Sequence, residues 1–307
     1  MEGILPIWKE AGMTSHDVVY KLRKILKTKK IGHSGTLDPA VDGVLPVAVG
    51  KATKVIEYMV DSDKVYKGEV TLGIATSTED ATGDVIDRKA VEESLDEKTV
   101  DDVLATFVGE ISQTPPYYSA VKVNGKRLYE YAREGKEVER PTRKVTVKEF
   151  KRLSGLRINE ENKTVSFSFE VLCGKGTYVR TLAVDAGSKL GYPAHMSQLT
   201  REASGGFTGN DALTLDQVRL LMEEGMVEDT LFPLEHALKN LDAYELSEEE
   251  YELVRHGSRL PKNQYLNDTQ DKIVFMLKGQ AVAIYGEHPT KEELIKPIKV
   301  LKNELQV

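Results

Sequence analysis

The sequence predicts an α+β protein, and three observations carry that reading. Several stretches alternate apolar and polar residues as half-buried strands do. Amphipathic helical stretches fall between them at irregular intervals. The regular strand-helix-strand beat of a doubly wound parallel sheet is missing. With 307 residues, 40% apolar and 30% charged, the chain has material for a sizeable core. Its length suits one large domain plus a small one, or two domains of ordinary size.

Residues 3–8 read as a short strand. Thr14 or Ser15 then caps a helix in which Val18, Val19, Leu22, Ile25 and Leu26 keep helical spacing, while Lys21, Arg23, Lys24 and Lys27 take the other face. That helix delivers the chain into GHSGTLDPAVDGVLPVAVGKATK, residues 32–54. A single carboxylate, Asp38, sits there between a Gly-Thr-Leu turn and a proline, at the mouth of an apolar run, Val44 to Val49, that reads as buried strand. In KVYKGEVTLG, Tyr66, Gly68, Val70 and Leu72 point one way and Lys67, Glu69 and Thr71 the other, so Tyr66 lies on the core side where a strand begins.

A polar loop, ATSTEDATGD, precedes a helix expected at about 97–109 on Val100, Val103, Leu104 and Phe107. Next comes QTPPYYSAVKVNGKRLYEYAREGKEVERPTRKV, whose Pro-Pro opening, tyrosines and dense charge suggest a long projecting element. Strands are expected at about 144–152 and 163–173, the second alternating Val165, Phe167, Phe169 and Val171. The turn GKGT leads into the helix YVRTLAVDAGSKL, stopped by Gly191. An acidic stretch, 221–252, reads as a connector of helices. From about residue 245 a small module follows, with two short strands around Lys278-Gly279 and a last one in IKPIKVLK.

Charge and motif content exclude several classes. No window approaches the roughly 18 apolar residues of a membrane span, and MEGILPIWKE lacks the features of a signal peptide. The one cysteine, Cys173, lies in the apolar run VSFSFEVLC and reads as a buried structural thiol in a reducing cytoplasm. The six histidines form no metal-binding pair. Net charge is −7, but residues 221–252 carry eleven acids against one lysine, which leaves the other residues at +3. KLRKILKTKK (21–30) holds six Lys/Arg and no acid, and residues 121–152 hold eleven against five Glu. Basic patches on a nearly neutral body suit a phosphate backbone, although a solvated helix face and a charged loop read the same way.

Asp38 is the candidate for chemistry. A phosphate-binding loop fails on spacing: six residues separate Gly43 from Gly50-Lys51, and Ala52 stands where Ser or Thr is needed. Asp38 and Asp42 as a glycosidase pair is a weak reading, since two acids four apart on a loop are common. Pro39 holds Asp38 out of helix, in extended backbone. A buried carboxylate there needs a cation or hydrogen bonds to stay ionised, and spacing alone does not choose among the arginines.

Residues 32–54 resemble the signature of the TruB-type tRNA pseudouridine synthases, which isomerise the T-arm uridine at tRNA position 55. KEAGMTSHDVV, DSDKVYKGEVTLG, QTPPYYSAVKVNGKRLYEYAREG, GKGTYVRTLAVDAG and AHMSQLTREASGGF follow in the family's order. Glu10 and Ala40-Val41-Asp42 depart from its usual pattern at the flanks of the motif. The resemblance implies a mixed, mainly antiparallel sheet in a catalytic domain over 1–240, an RNA-gripping insertion at about 122–152 and a β-rich, PUA-like RNA-binding domain over 245–307. It implies Asp38 as the catalytic carboxylate, Arg180 as its partner, and Tyr66 stacking on the flipped uracil with a part in removing the C5 proton. Tyr178 and Leu199 would line the pocket, and His33 would enter the space the base leaves. It implies tRNA as partner, no cofactor or metal, no obligate protein partner, a monomer and a cytoplasmic location. Two rivals are an RNA-binding or RNA-folding protein with a vestigial site and a guide-RNA-dependent, dyskerin-type synthase. The complete Asp38, Tyr66, Arg180 set argues against the first, and the LYEYAREG-containing insertion against the second.

Overall fold

The computed structural model describes residues 1–302 apart from 93 and 268. From the N-terminus come β1 (Gly3–Lys9), α1 (Ser15–Ile25), β2 (Ile31–His33), β3 (Asp42–Val49), the short α2 (Ile56–Val60) and β4 (Lys64–Leu72). A hairpin of β5 (Ile74–Thr76) and β6 (Val85–Arg88) leads to α3 (Glu97–Ala105) and β7 (Gly109–Gln113). A second hairpin, β8 (Lys122–Val123) and β9 (Lys126–Arg127), carries α4 (Leu128–Arg133). The chain then returns as β10 (Arg143–Arg152), β11 (Arg157–Asn159), β12 (Thr164–Cys173), α5 (Val179–Leu190), β13 (Ala194–Ser204), β14 (Phe207–Thr208) and α6 (Leu215–Glu223). The long strands pair in the order β1-β3-β13-β4-β12-β10-β7, antiparallel except where β3 meets β13.

The sheet explains why the two kinds of strand read differently in the sequence. At β1 and β3 both faces are covered. Leu5, Ile7, Leu45, Val47 and Val49 pack under α1, α3, α5 and α6, while Ile4, Val44 and Ala48 pack against the opposite layer. Hence the unbroken apolar run. At β4 and β12 one face is wet. Tyr66, Val70, Phe167, Phe169 and Val171 enter the core, and Thr71, Ser166 and Ser197 form a hydroxyl ladder on the other side, at 2.9 and 3.0 Å. Cys173 is buried in that core, its thiol pushed up to about 11 by desolvation, as a structural cysteine is expected to be.

Local signals set the helices. Thr14 caps α1 in a reciprocal box, accepting from Asp17 N at 3.0 Å while Asp17 accepts from Thr14 N at 2.9 Å, an arrangement worth about 1 kcal/mol. Gly191 ends α5 at φ 84°, in the left-handed region. The helix expected to reach 109 stops at Ala105. Phe107 turns inward instead, edge-on to Phe150 at 6.0 Å, and Gly109 begins a strand at φ +117°. Residues 143–152 belong to the central sheet, so the part that stands off it is narrower than the expected 122–152 on that side.

The acidic connector, expected as helices, is α-helical only at its two ends, in α6 and in Glu248–Arg255. Beyond α6 it makes two short 3-10 turns, Val227–Thr230 and Leu234–Leu238, because it lies along β1, with Ile4 and Phe232 exchanging backbone hydrogen bonds at 2.7 and 2.8 Å. The C-terminal module consists of β15 (Ala243–Glu245), α7 (Glu248–Arg255), β16 (Leu260–Pro261), α8 (Lys262–Tyr265), β17 (Lys272–Leu277), β18 (Gln280–Glu287) and β19 (Leu294–Val300). Its sheet order is β15-β17-β18-β19-β16, and its first strand starts two residues before the expected boundary. The last five residues of the expected 245–307 segment lie outside the described residues. Val274, Ala281, Ile284 and Leu301 dock it against Ile4, Val44, Ala48 and Met59.

Candidate active site

The Asp38 loop is pinned from below. Ser15, buried at the first turn of α1, accepts from Leu37 N at 2.9 Å and donates to Leu37 O at 3.3 Å. Lys9 is fully buried, and its ammonium donates to the carbonyls of Glu10, Met13 and Pro39 at 3.0, 2.8 and 3.3 Å. Gly12 N donates to Pro39 O at 2.8 Å. The backbone on both sides of Asp38 is therefore held, and its side chain projects into a cleft of about 300 Å³, the small end of the range for ligand pockets.

Arg180, in the first turn of α5, meets it there. Its Nη2 lies 2.9 Å from Asp38 Oδ2 and donates to Tyr118 O at 2.9 Å. Nη1 donates to Thr78 O at 2.9 Å and stands 3.7 Å from Asp80 Oδ2. Asp80 is itself fixed by the Thr78 hydroxyl at 2.7 Å, Thr82 N at 2.9 Å and the Thr82 hydroxyl at 2.5 Å. A planar guanidinium with two carboxylates and two carbonyls around it cannot swing. Its side chain is 5% exposed, against 42% for Asp38. The arginine is thus a buried anchor, while the carboxylate is ringed by protein yet open to an entering molecule.

That setting decides the charge balance at Asp38. Desolvation raises its pKa above the ordinary 3.8, Arg180 pulls it down, and nearby Asp80 adds to the rise; the net direction is up. Arg180 thus favours the ionised carboxylate without fully offsetting burial.

The cleft walls come from paired strands. Tyr66 on β4 faces Arg201 on β13, and Gly68 faces Leu199. A Cβ at Gly68 would lie 2.5 Å from Gln198 O, 2.8 Å from the Phe169 ring and 3.0 Å from Leu199 Cδ1, so glycine leaves the room that Leu199 occupies. Burial raises the pKa of the Tyr66 hydroxyl, partly countered by Arg201. Tyr178 caps the start of α5. Gln113, at the end of β7, clamps its backbone with both amide atoms, accepting from Tyr178 N at 2.7 Å and donating to Tyr178 O at 3.0 Å.

Asp38, Tyr66, Tyr178, Arg180 and Leu199 line this one cleft. His33 is not among its lining residues. It ends β2, half-buried, with Nδ1 buried and unbonded and its pKa lowered by desolvation and by Arg201. Sequence reasoning missed the residues that hold the set: Lys9, Ser15, Asp80, Gln113 and Arg201. For Asp80 the available signal was two adjacent acids in the polar loop ATSTEDATGD. Gln113 offered only its place before the Pro-Pro pair. Among the described residues no group of His, Cys, Asp or Glu is arranged to hold a metal ion.

The fold is shared with single chains of several solved RNA-protein and protein complexes. The chain superimposes on a chain of a Cbf5-Nop10-Gar1 complex with a TM-score of 0.69 at 29% identity, covering 98% of this chain and 85% of that one. A chain in the structure of an H/ACA RNP bound to a substrate RNA containing 2′-deoxyuridine matches with a TM-score of 0.71 at 26% identity, with the same coverage. A family model described as TruB family pseudouridylate synthase (N terminal domain) matches residues 23–179, and one described as tRNA pseudouridylate synthase B C-terminal domain matches residues 180–239. The chain belongs to the TruB family of pseudouridylate synthases. It is 49% identical over 309 residues to tRNA pseudouridine synthase B of Bacillus pumilus, covering 100% of this chain and 99% of that protein. To its namesake from Staphylococcus aureus (strain MSSA476) it is 51% identical over 302 residues, covering 97% and 98%.

Proposed function

We propose that the chain isomerises uridine to pseudouridine in the T-arm of tRNA, with Asp38 as the catalytic carboxylate. The observation that carries this is the 2.9 Å pair between Asp38 and Arg180 at a cleft that Tyr66 also lines. A target base inside a folded loop must first be turned out of the stack, at a cost of a few kcal/mol. Stacking on the Tyr66 ring offsets about 1–3 kcal/mol of that. Asp38 then enables the C1′–N1 bond to break and C1′ to rejoin the base through C5, while Arg180 orients the carboxylate. Tyr66 takes part in removing the C5 proton. Tyr178 and Leu199 exclude water from the ring. His33 enters the stack position the base has vacated.

The RNA is gripped by the basic hairpin and α4, by Lys21 and Lys24 of α1 with Lys27 just past its end, and by the C-terminal module, each through phosphates. The enzyme acts as a monomer in the cytoplasm, without a protein partner. No described helix is long and apolar enough to cross a membrane. The guide-dependent reading rests on the GTLDP motif at residues 35–39, but identity near 50% over nearly the whole chain to tRNA pseudouridine synthase B favours action without a guide.

Tritium release from a T-arm stem-loop labelled at uridine C5, with no guide RNA, tests the reading. Wild type is expected to release tritium. Asp38→Asn is expected to lose more than about a thousandfold in single-turnover rate while binding the RNA as well as wild type does. Full activity in Asp38→Asn, or none in wild type, rejects the assignment.

A further inference from the structure

Two cations are buried on the sheet face that carries Tyr66, and the roles of Asp38 and Arg180 give neither a task. Lys64, Tyr66, Leu199 and Arg201 all line the cleft from the paired strands β4 and β13. Arg201 is 1% exposed and Lys64 7%. Arg201 Nε donates to Val44 O at 2.8 Å and Nη2 to Gly35 O at 3.2 Å, and the residue stands directly opposite Tyr66 in the strand register. Lys64 donates to the carbonyls of Val60 and Ser62 at 2.6 and 2.5 Å. Among the described residues no carboxylate lies within ion-pairing distance of either, whereas Arg180 has two. Buried charge with no counter-charge is costly: desolvation lowers the pKa of Lys64, and with Arg201 beside it this wall of the cleft carries basic groups that no carboxylate offsets.

The reaction proposed above places negative charge there. When the C1′–N1 bond breaks, the electron pair leaves with the base, and uracil becomes an anion spread over N1, O2 and O4. This holds whether Asp38 captures C1′ or removes a ribose proton. The pair at C5 then closes onto C1′, Asp38 returns to its starting state, the C5 proton departs and N1 takes one up. The isomerisation balances with no added reagent.

We propose that Arg201, with Lys64 beside it, forms an anion hole for the detached uracil, whose charge supplies the counter-ion the two cations lack. A base stacked on Tyr66 lies next to Arg201, because directly opposed side chains on paired strands are neighbours. The bonds to Val44 and Gly35 fix the guanidinium in advance, so no reorganisation is needed as charge develops. The inference rests on the isomerase reading, and its test separates the two.

Arg201→Met should lower the single-turnover rate about a hundredfold with RNA affinity within about threefold of wild type, and Arg201→Lys should recover part of the loss. Placing 5-fluorouridine at the target makes the leaving base a more stable anion. It should narrow the gap between wild type and Arg201→Met in C1′–N1 cleavage, read by digestion and chromatography. An equal gap with both bases, or a loss of affinity that matches the loss of rate, overturns the proposal. A second readout needs no turnover: calorimetric titration with 5-nitrouracil, an anion at neutral pH, and with neutral uracil. Wild type and Asp38→Asn should prefer the anion by about tenfold, and Arg201→Met and Lys64→Met should lose that preference. Equal binding of the two bases by wild type overturns the proposal. If the preference holds but wild type releases no tritium, the isomerase reading has failed and the anion hole stands.

Discussion

The cleft and the C-terminal module both bury tyrosines, but they treat the polar ends differently. In the module Tyr244 and Tyr265 both donate to Glu250, at 3.3 and 2.9 Å, and Tyr285 donates to Ser258 O at 2.9 Å. Their rings pack edge-on around Phe275 at 6.0, 5.1 and 4.9 Å. Each hydroxyl has a partner within the module, and burial pushes that of Tyr285 up to about 12. In the cleft, Tyr66 faces a cation, Asp38 is held by one oxygen while its side chain stays 42% exposed, and Lys64 and Arg201 have no carboxylate partner. One region uses polar groups to close a core. The other aims them at a void and tolerates the cost, as functional sites do.

The sharpest way to break that contrast is to damage the module's core alone. Phe275 is fully buried at the centre of the aromatic cluster. Phe275→Ala should cost about 3–5 kcal/mol, seen as a lower midpoint in urea. Because Phe275 touches no cleft residue named above, the single-turnover rate on bound RNA should stay near wild type at temperatures where the variant is folded. A large loss of rate under those conditions would mean that the module shapes the cleft.

The next test strikes the cleft by volume, with no change of charge. Gly68→Ala puts a methyl within 3.0 Å of Gln198 O, the Phe169 ring and Leu199 Cδ1. Such overpacking should cost about 1–3 kcal/mol of stability. Relief comes either from the two strands parting or from Leu199 moving within the cleft it lines, and the second route should lower kcat as well. Unchanged kcat with lowered stability would show that the strands part instead.

How much of this was legible in the sequence follows from the same physics. Alternation exposed the face of Tyr66, and the unbroken run at β3 announced burial on both sides. Asp38 stood out through Pro39, and Arg180 through its place beside the GKGT turn, but their union came only through family resemblance. The helix end at Ala105 was hidden because Phe107 continues the helical spacing while packing on Phe150 from a turn. Arg201 was hidden for a different reason. Its burial follows from β13 running between β3 and β4, where Gly43 at φ +118° lets the two backbones approach. A Cβ at Gly43 would lie 2.2 Å from Arg201 O. No local pattern encodes a pairing between residues that far apart in the chain.

The smallest expected effect is on stability, and its sign discriminates. Burial raises the pKa of Asp38 in the folded state above the ordinary 3.8. The folded protein therefore binds a proton there more tightly than the unfolded chain does, and stability contributed by the protonated acid is lost as pH rises from 3.8 through the raised value. At neutral pH ionised Asp38 works against the fold, so the neutral, isosteric Asp38→Asn should melt slightly higher than wild type, by about one or two degrees. Below the ordinary carboxylate range the two should converge. The module predicts no such reversal: Glu250 has a lowered pKa through its bonds to Ser247, Tyr265 and Tyr244, so Glu250→Gln should melt lower at neutral pH, with the gap closing on acidification. Melting curves of both variants at neutral pH and below the ordinary carboxylate range set the two regions side by side. If Asp38→Asn also melts lower at neutral pH, Arg180 contributes more to holding the loop than burial of the carboxylate takes away, and the cleft follows the module's rule.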